Sequence, residues 1–235
     1  MSDADDTQAA AAVADRVAEA RSRIGAAAPD PSRVRLVAVT KGFGPDAVRA
    51  ALSAGVTDIG ENYADELLGK ADALTASDGE PGSGPPPRWH FLGAVQRNKV
   101  ARLAPLVDCW QSVARIEEGR AIARRHPGAS ILVQVDVVGG HGRNGCRPEG
   151  VAELVTALRD EQLDVAGLMT IGPPGPAEAS RPAFALVRDL ATGLGLAECS
   201  MGMTDDMDVA LAEGSTMIRL GRALFGERPP GRQAR

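Results

Sequence analysis

Aromatic side chains are scarce in this sequence: two Trp, one Tyr and four Phe among 235 residues. A core must therefore be assembled mainly from Ala, Val, Leu and Ile, and a hydrophobic content of 44% is enough to build one. Basic residues are in deficit, 26 Lys+Arg against 31 Asp+Glu, for a formal net charge of -5. That sign argues against a protein whose main business is nucleic acid. Cysteine is rare and widely spaced. Cys109, Cys146 and Cys199 form neither a metal-ligand pair nor a disulfide framework, and they read as reduced, buried thiols of a cytoplasmic protein. The three histidines, His90, His126 and His141, are also scattered, which speaks against a His-rich metal site. No run approaches the roughly 18 apolar residues of a membrane helix. The start, MSDADDTQAAAAVADRVAEA, is acidic where a secretory signal is basic.

What the sequence does hold is alternation. Residues 8–27 carry Val13, Val17 and Ile24 at helical spacing and read as a first helix, ended by Pro29 and Pro31. VRLVAVT, 34–40, is a β-branched apolar run of strand length. Pro45 and Asp46 open a helix that Gly55 closes. The pattern then repeats, with strands at 56–60, 89–93, 107–113, 130–138, 163–171, 196–202 and 216–221. Helices fall between them at 61–74, 97–104, 114–125, 148–160, 177–192 and 205–212, and a last one starts at GRALFG. Pro148 suits a first helical position and Gly214 a helix end. ASDGEPGSGPPPR, 76–88, offers no core-forming residue and reads as a flexible loop. Eight strand–helix units after one extra helix predict an α/β fold, a single (β/α)8 TIM-type barrel over 1–235, with 1–7 and 229–235 outside the ordered part. An open doubly wound sheet is the alternative, reached if two strands are miscounted.

In such barrels the site lies at the C-terminal ends of the strands. Lys41 ends the first strand, and Glu61-Asn62-Tyr63 follows the second. His90 lies in the third, with Gln96, Asn98 and Lys99 just beyond. Met169 and Thr170 end the sixth, Ser200-Met201-Gly202-Met203-Thr204 follows the seventh, and Arg219 and Gly221 end the eighth. Burial would lower the pKa of Lys41 and make it a better nucleophile toward an aldehyde, whereas a plain strand-end lysine snorkels to solvent. SMGMT and RLGRA stand where these barrels often bind phosphate, with glycines for close backbone approach and Ser200 and Thr204 as hydroxyl donors. Against this, Thr204 suits a plain helix cap, and Asp205 and Asp206 must face solvent if a phosphate is to sit there. Arg219 suits a phosphate, a pyridine nitrogen or a structural ion pair with a barrel carboxylate.

Weaker signals remain. Gly42-Phe43-Gly44-Pro45-Asp46-Ala47 has the form G-x-G-x-x-A, with Glu61 further on, but seven more barrel units speak against a dinucleotide site. Arg143 lies in GGHGRNG, which reads as a surface lid. Trp89, Trp110 and Phe184 read as packing.

Taken in order, LVAVTK, GVTDIGENYADEL, WHFLGAVQRNK, GLMTIGP and SMGMTDDMDVALAEGSTMIRLGRALFGER resemble the YggS/PROSC family of pyridoxal phosphate homeostasis proteins, from about residue 36 to 228. The resemblance implies a single barrel of the alanine racemase N-terminal type. It implies pyridoxal 5'-phosphate (PLP) as a Schiff base on Lys41, with Asn62 and Met169 lining the cofactor. It also implies phosphate contacts from Ser200, Gly202, Met203, Thr204 and Gly221, and Arg219 facing the pyridine nitrogen. Members of the family are expected to carry and buffer PLP for apoenzymes that need it, without robust catalytic activity. The sequence departs after the fifth strand, where the family often has an acidic residue and K-x-G. Here Val135-Asp136, Gly140 and Arg143-Asn144-Gly145 stand instead, and Gly172 is inserted before Pro173.

The competing reading is a PLP-dependent amino-acid racemase. Related racemases use the lysine and a tyrosine from a second, β-rich domain. After residue 228 this sequence holds only PPGRQAR, and Tyr63 is its one tyrosine. The carrier is the expected function, with no metal, no nucleic acid and no membrane partner.

Overall fold

The computed structural model describes residues 3–76, 85–139 and 144–228. The Pro/Gly tract at 77–84, the termini 1–2 and 229–235, and the Gly140–Arg143 loop lie outside the described residues.

Eight parallel strands close on themselves, each bonded to the next and β1 to β8. They are β1 Arg35–Val39, β2 Asp58–Glu61, β3 Arg88–Phe91, β4 Val107–Val113, β5 Ser130–Val135, β6 Asp164–Thr170, β7 Glu198–Ser200 and β8 Met217–Leu220. Helices follow them in turn: α2 Pro45–Ser53, α3 Ala64–Thr75, α4 Val100–Leu103, α5 Ile116–Ala123, α6 Val151–Asp160, α7 Arg181–Gly193, α8 Met207–Ala212 and α9 Arg222–Phe225. The expected barrel is therefore present, and the open sheet is excluded.

α1, Asp3–Ala27, precedes the barrel and starts earlier than its apolar spacing predicts, taking in residues expected to lie outside the fold. Val13, Val17, Ala20 and Ile24 form one buried stripe. That stripe packs on α2, α8 and α9, across the seam where β1 meets β8. Polar contacts reinforce the placement. Arg16 donates to the Leu224 carbonyl at 3.0 Å, Arg21 to the Gly55 carbonyl at 2.7 Å, and Arg23 pairs with Asp208 at 3.1 Å.

Element ends differ from the periodicity for local reasons. β5 stops at Val135 because the Asp136 carboxylate accepts the backbone N–H groups of Val138 and Gly139, folding the chain into a turn. Glu61 closes β2 instead of opening a helix. The segments beginning at Pro148 and Ala177 enter α6 and α7 through a 3₁₀ turn. Gly55 and Gly214 end their helices at positive φ, as expected.

Two apolar regions result. The larger fills the space between strands and helices, where Trp110, Phe184, Leu158 and Ile122 are fully buried. The smaller lies inside the barrel and contains only Val37, Cys109, Leu132, Met169 and Met217, with Ala166 against them. So small an apolar group leaves much of the lumen to polar side chains.

Candidate functional site

The C-terminal ends of the strands open on a cavity of about 460 Å³. Lys41 stands on its β1 side. The loop that carries Lys41 is held from behind: Gly42 N–H donates to Glu66 Oε2 at 2.7 Å, and Thr40 Oγ1 donates to Glu61 Oε1 at 2.5 Å. Lys70 reaches in from α3, donating to the Thr40 carbonyl at 2.7 Å and pairing closely with Glu61. Burial lowers the pKa of Lys41, and the positive charges of Arg228 and Arg219 lower it further against the opposing pull of Glu61 and Glu66.

Arg219 lines the same cavity from β8 and is 5% exposed. Its partners are not carboxylates. Nη1 donates to Ser200 Oγ and Nη2 to the Thr170 carbonyl, each at 2.8 Å. Burial pushes its pKa down to about 10, against the raising effect of Asp206. Among the described residues Arg219 forms no ion pair of the kind considered from the sequence, and the guanidinium is held by neutral groups.

Two expectations about the loop after β7 need correction. Ser200 is fully buried below the cavity, where its hydroxyl accepts from Arg219 and donates to Gln111, so its proton is spent inside the barrel. Asp206 does not face solvent. It folds under the loop, accepting the Met203 N–H at 2.7 Å and the Ser180 hydroxyl at 3.2 Å. The inserted Gly172 explains how it fits, since a Cβ there would collide with Ser180 and crowd Asp206. Met203 therefore offers the cavity its side chain, with its N–H already used. Asp205 is exposed and pairs with Arg222 at 2.7 Å, but both lie in the lining of the cavity, so it does not point away from the site. Thr204 lines the cavity in the turn before α8, whose N-cap is Asp206.

A family model described as the alanine racemase N-terminal domain matches residues 10–229. The pyridoxal phosphate homeostasis protein of Pseudomonas aeruginosa is 37% identical over 94% of this chain and 98% of its own length. That of Escherichia coli K12 is 30% identical over 92% and 97%. The chain belongs to the pyridoxal phosphate homeostasis family. Among solved structures, PipY of Synechococcus elongatus with PLP bound superposes with a TM-score of 0.78 at 32% identity, covering 91% of this chain and 100% of that one. A protein from Bifidobacterium adolescentis gives 0.84 at 32% identity, covering 96% and 97%. Lysine decarboxylase of Selenomonas ruminantium gives 0.62 at 18% identity, covering 90% of this chain and 60% of that one, a likeness of fold alone.

On this family barrel the cavity gathers Lys41, Asn62, Met169, Met203, Thr204, Arg219 and Gly221 of the residues singled out from the sequence. Ser200 and Gly202 do not line it. His90, expected near the mouth, is wholly buried in the lumen, and Lys99 pairs with Asp65 at 3.1 Å. Arg222, Arg228, Phe43 and Ile171 line the cavity and were not anticipated. GRALFGER carried the two arginines in plain sight, but nothing in that segment says that Arg228 lies back against Gly42. With Lys41 and Arg219, these arginines set four cations against Asp205 and Glu227 among the lining residues. Such a cavity favours an anion.

Beyond β5, Asn144 donates to Gln134 Oε1 at 2.9 Å and to the Ser112 carbonyl at 3.1 Å, anchoring the described end of the divergent loop. Cys109 and Cys199 are buried, and burial holds their thiols up at about 12 and about 11; Cys146 is only partly buried. Among the described residues no cluster suits a metal, and no helix is long and apolar enough to cross a membrane.

Proposed function

We propose that this chain binds PLP in the mouth of the barrel and carries it within the cytoplasm, as part of vitamin B6 homeostasis. The observation that carries the reading is the cationic cavity with Lys41 on one side and a buried, neutrally held Arg219 on another. A volume of about 460 Å³ suits a small cofactor. The buried Oδ1 of Asn62 has no partner among the described residues, which favours a polar ligand beside it. PLP-bound PipY and the relatives named for PLP homeostasis point the same way.

Lys41 is the amine that takes the aldehyde. When bound, PLP would offer its aldehyde to this amine, and the lowered pKa of Lys41 favours the neutral, nucleophilic form. Thr204, Gly221 and the neighbouring Arg222 line the cavity and would serve the phosphate, and Met169 and Asn62 would flank the ring. PLP supplies a reactive aldehyde and an electron-withdrawing ring. Arg219, a donor without an acceptor, would favour an unprotonated ring nitrogen and so weaken that withdrawal. A weak electron sink suits a carrier that delivers PLP to apoenzymes better than it suits a racemase.

Purified protein should show the visible absorbance of bound PLP, and borohydride should fix the cofactor on the Lys41 peptide. Protein that stays colourless after incubation with PLP sinks the reading. Covalent fixation on Lys99 or Lys70 would instead show that the amine is misassigned.

A further inference from the structure

Five polar side chains of the barrel lumen form one connected chain. It starts at Arg219, under the cavity, and ends at Asp58, the first residue of β2 at the opposite end of the barrel. Arg219 Nη1 donates to Ser200 Oγ at 2.8 Å, and Ser200 Oγ donates to Gln111 Oε1 at 2.6 Å. Gln111 Nε2 lies 2.7 Å from His90 Nδ1, and His90 Nε2 lies 2.8 Å from Asp58 Oδ1. Ser200, Gln111 and His90 are wholly inaccessible to solvent. β8, β7, β4, β3 and β2 each supply one member.

Donor and acceptor logic gives this chain a single direction. Guanidinium only donates, so Ser200 Oγ must accept from it and is free to send its own proton to Gln111. The carbonyl end of Gln111 receives that proton, which leaves the amide nitrogen to face His90. Nδ1 must then be an acceptor, and the ring proton resides on Nε2, where it meets the Asp58 carboxylate. Every link donates away from the mouth. Asp58 is the terminal acceptor, with Arg88 3.8 Å away. Burying five polar groups where apolar residues would also pack is costly unless they are hydrogen-bonded, and here each has at least one partner.

We propose that Gln111, His90 and Asp58 are positioning residues for Arg219. Together they fix the rotation of its guanidinium and so set the electronic state of the pyridine-type ring that it faces. This inference rests on the PLP reading above. Of the five N–H donors of the guanidinium, the Ser200 hydroxyl and the Thr170 carbonyl take one each. Without Gln111 the Ser200 hydroxyl loses the acceptor that aims it, and the guanidinium, held firmly only at Thr170, is freer to turn relative to the ring.

The test compares PLP-loaded wild type with Gln111→Met and Asp58→Asn. Gln111→Met keeps the length and removes both hydrogen bonds. It should shift the visible band and weaken PLP binding by up to about tenfold, the upper worth of a hydrogen bond between neutral groups. Asp58→Asn keeps an acceptor for Nε2 and should retain the wild-type band. A folded Gln111→Met protein, judged by circular dichroism and melting temperature, with the wild-type band and affinity overturns the proposal. A ¹⁵N NMR spectrum of His90 in the cofactor-free wild type provides an independent arm that needs neither variant. A proton on Nε2 supports the chain, and a proton on Nδ1 breaks its direction and overturns it. Wild type that takes up no PLP would defeat the PLP reading itself, and the tautomer would still report on the chain.

Discussion

At the scale of single residues, the site is built from side chains held in costly states. Lys41 has a pKa below its unfolded value of 10.5 because burial and two arginines disfavour its charge. The unfolded chain therefore binds more protons than the folded one between the two pKa values, and stability rises with pH through that window. Below the folded pKa the charged lysine is a constant cost, and above 10.5 that cost is gone. Lys41→Met should accordingly raise the urea midpoint of the cofactor-free protein at pH 7, with the gain shrinking as the pH climbs toward 10. A midpoint that falls at pH 7 would contradict the assignment of strain to this side chain. Ser200 supports a sharper contrast. Its position in the sequence suggests a phosphate ligand, because strand ends and glycines are visible there, whereas its contacts with Gln111 and Arg219 involve residues 89 and 19 positions away. Ser200→Ala should therefore weaken binding of PLP and of unphosphorylated pyridoxal by the same factor. A loss confined to PLP, measured by fluorescence titration of both ligands, would restore the phosphate role.

At the scale of elements, the alternation of strand and helix was legible because buried parallel strands read as β-branched apolar runs. Their ends were not, because ends are set by contacts made after folding. β7 reads as reaching Gly202 yet stops at Ser200; Gly202 itself takes φ 93 and turns the chain away from the sheet. Glu61 reads as helical and lies on β2, where its carboxylate meets Thr40 from β1's end and Lys70 from α3. This buried cluster ties α3 to the Lys41 loop. Burial raises the pKa of Glu61 even against the attraction of Lys70. Removing one partner leaves the other buried and uncompensated. Lys70→Met should cost about 3–5 kcal/mol in urea unfolding, and Glu61→Leu combined with Lys70→Met should recover most of it. A double variant as unstable as the single would show that the pair does more than neutralise itself.

At the scale of the whole molecule, barrel closure was legible from a count of eight units, but the lumen was not. The polar chain that runs through it, at positions 58, 90, 111, 200 and 219, is brought together only by closure. Closure also joins the first strand to the last, and the proposed cofactor groups fall on both sides of that seam: Lys41 follows β1, while Arg219 and Gly221 belong to β8 and its end. A ligand held by both sides binds the closed barrel and not the unfolded chain, so it must raise stability by mass action. At a hundredfold excess over its dissociation constant, PLP should add about 2.7 kcal/mol, read as a rise in melting temperature that grows with concentration. α1 braces the same seam from outside, with Val17 1% exposed in its stripe. Val17→Ala should cost on the order of 2 kcal/mol through the lost methyl groups and the cavity they leave. The two effects act on one equilibrium from opposite faces, without a shared contact, and sites of that kind add. The PLP-induced increment should therefore be the same in Val17→Ala as in wild type. An increment that vanishes in the variant would mean that α1 shapes the mouth directly, and an increment absent from wild type would mean that PLP does not bridge the seam.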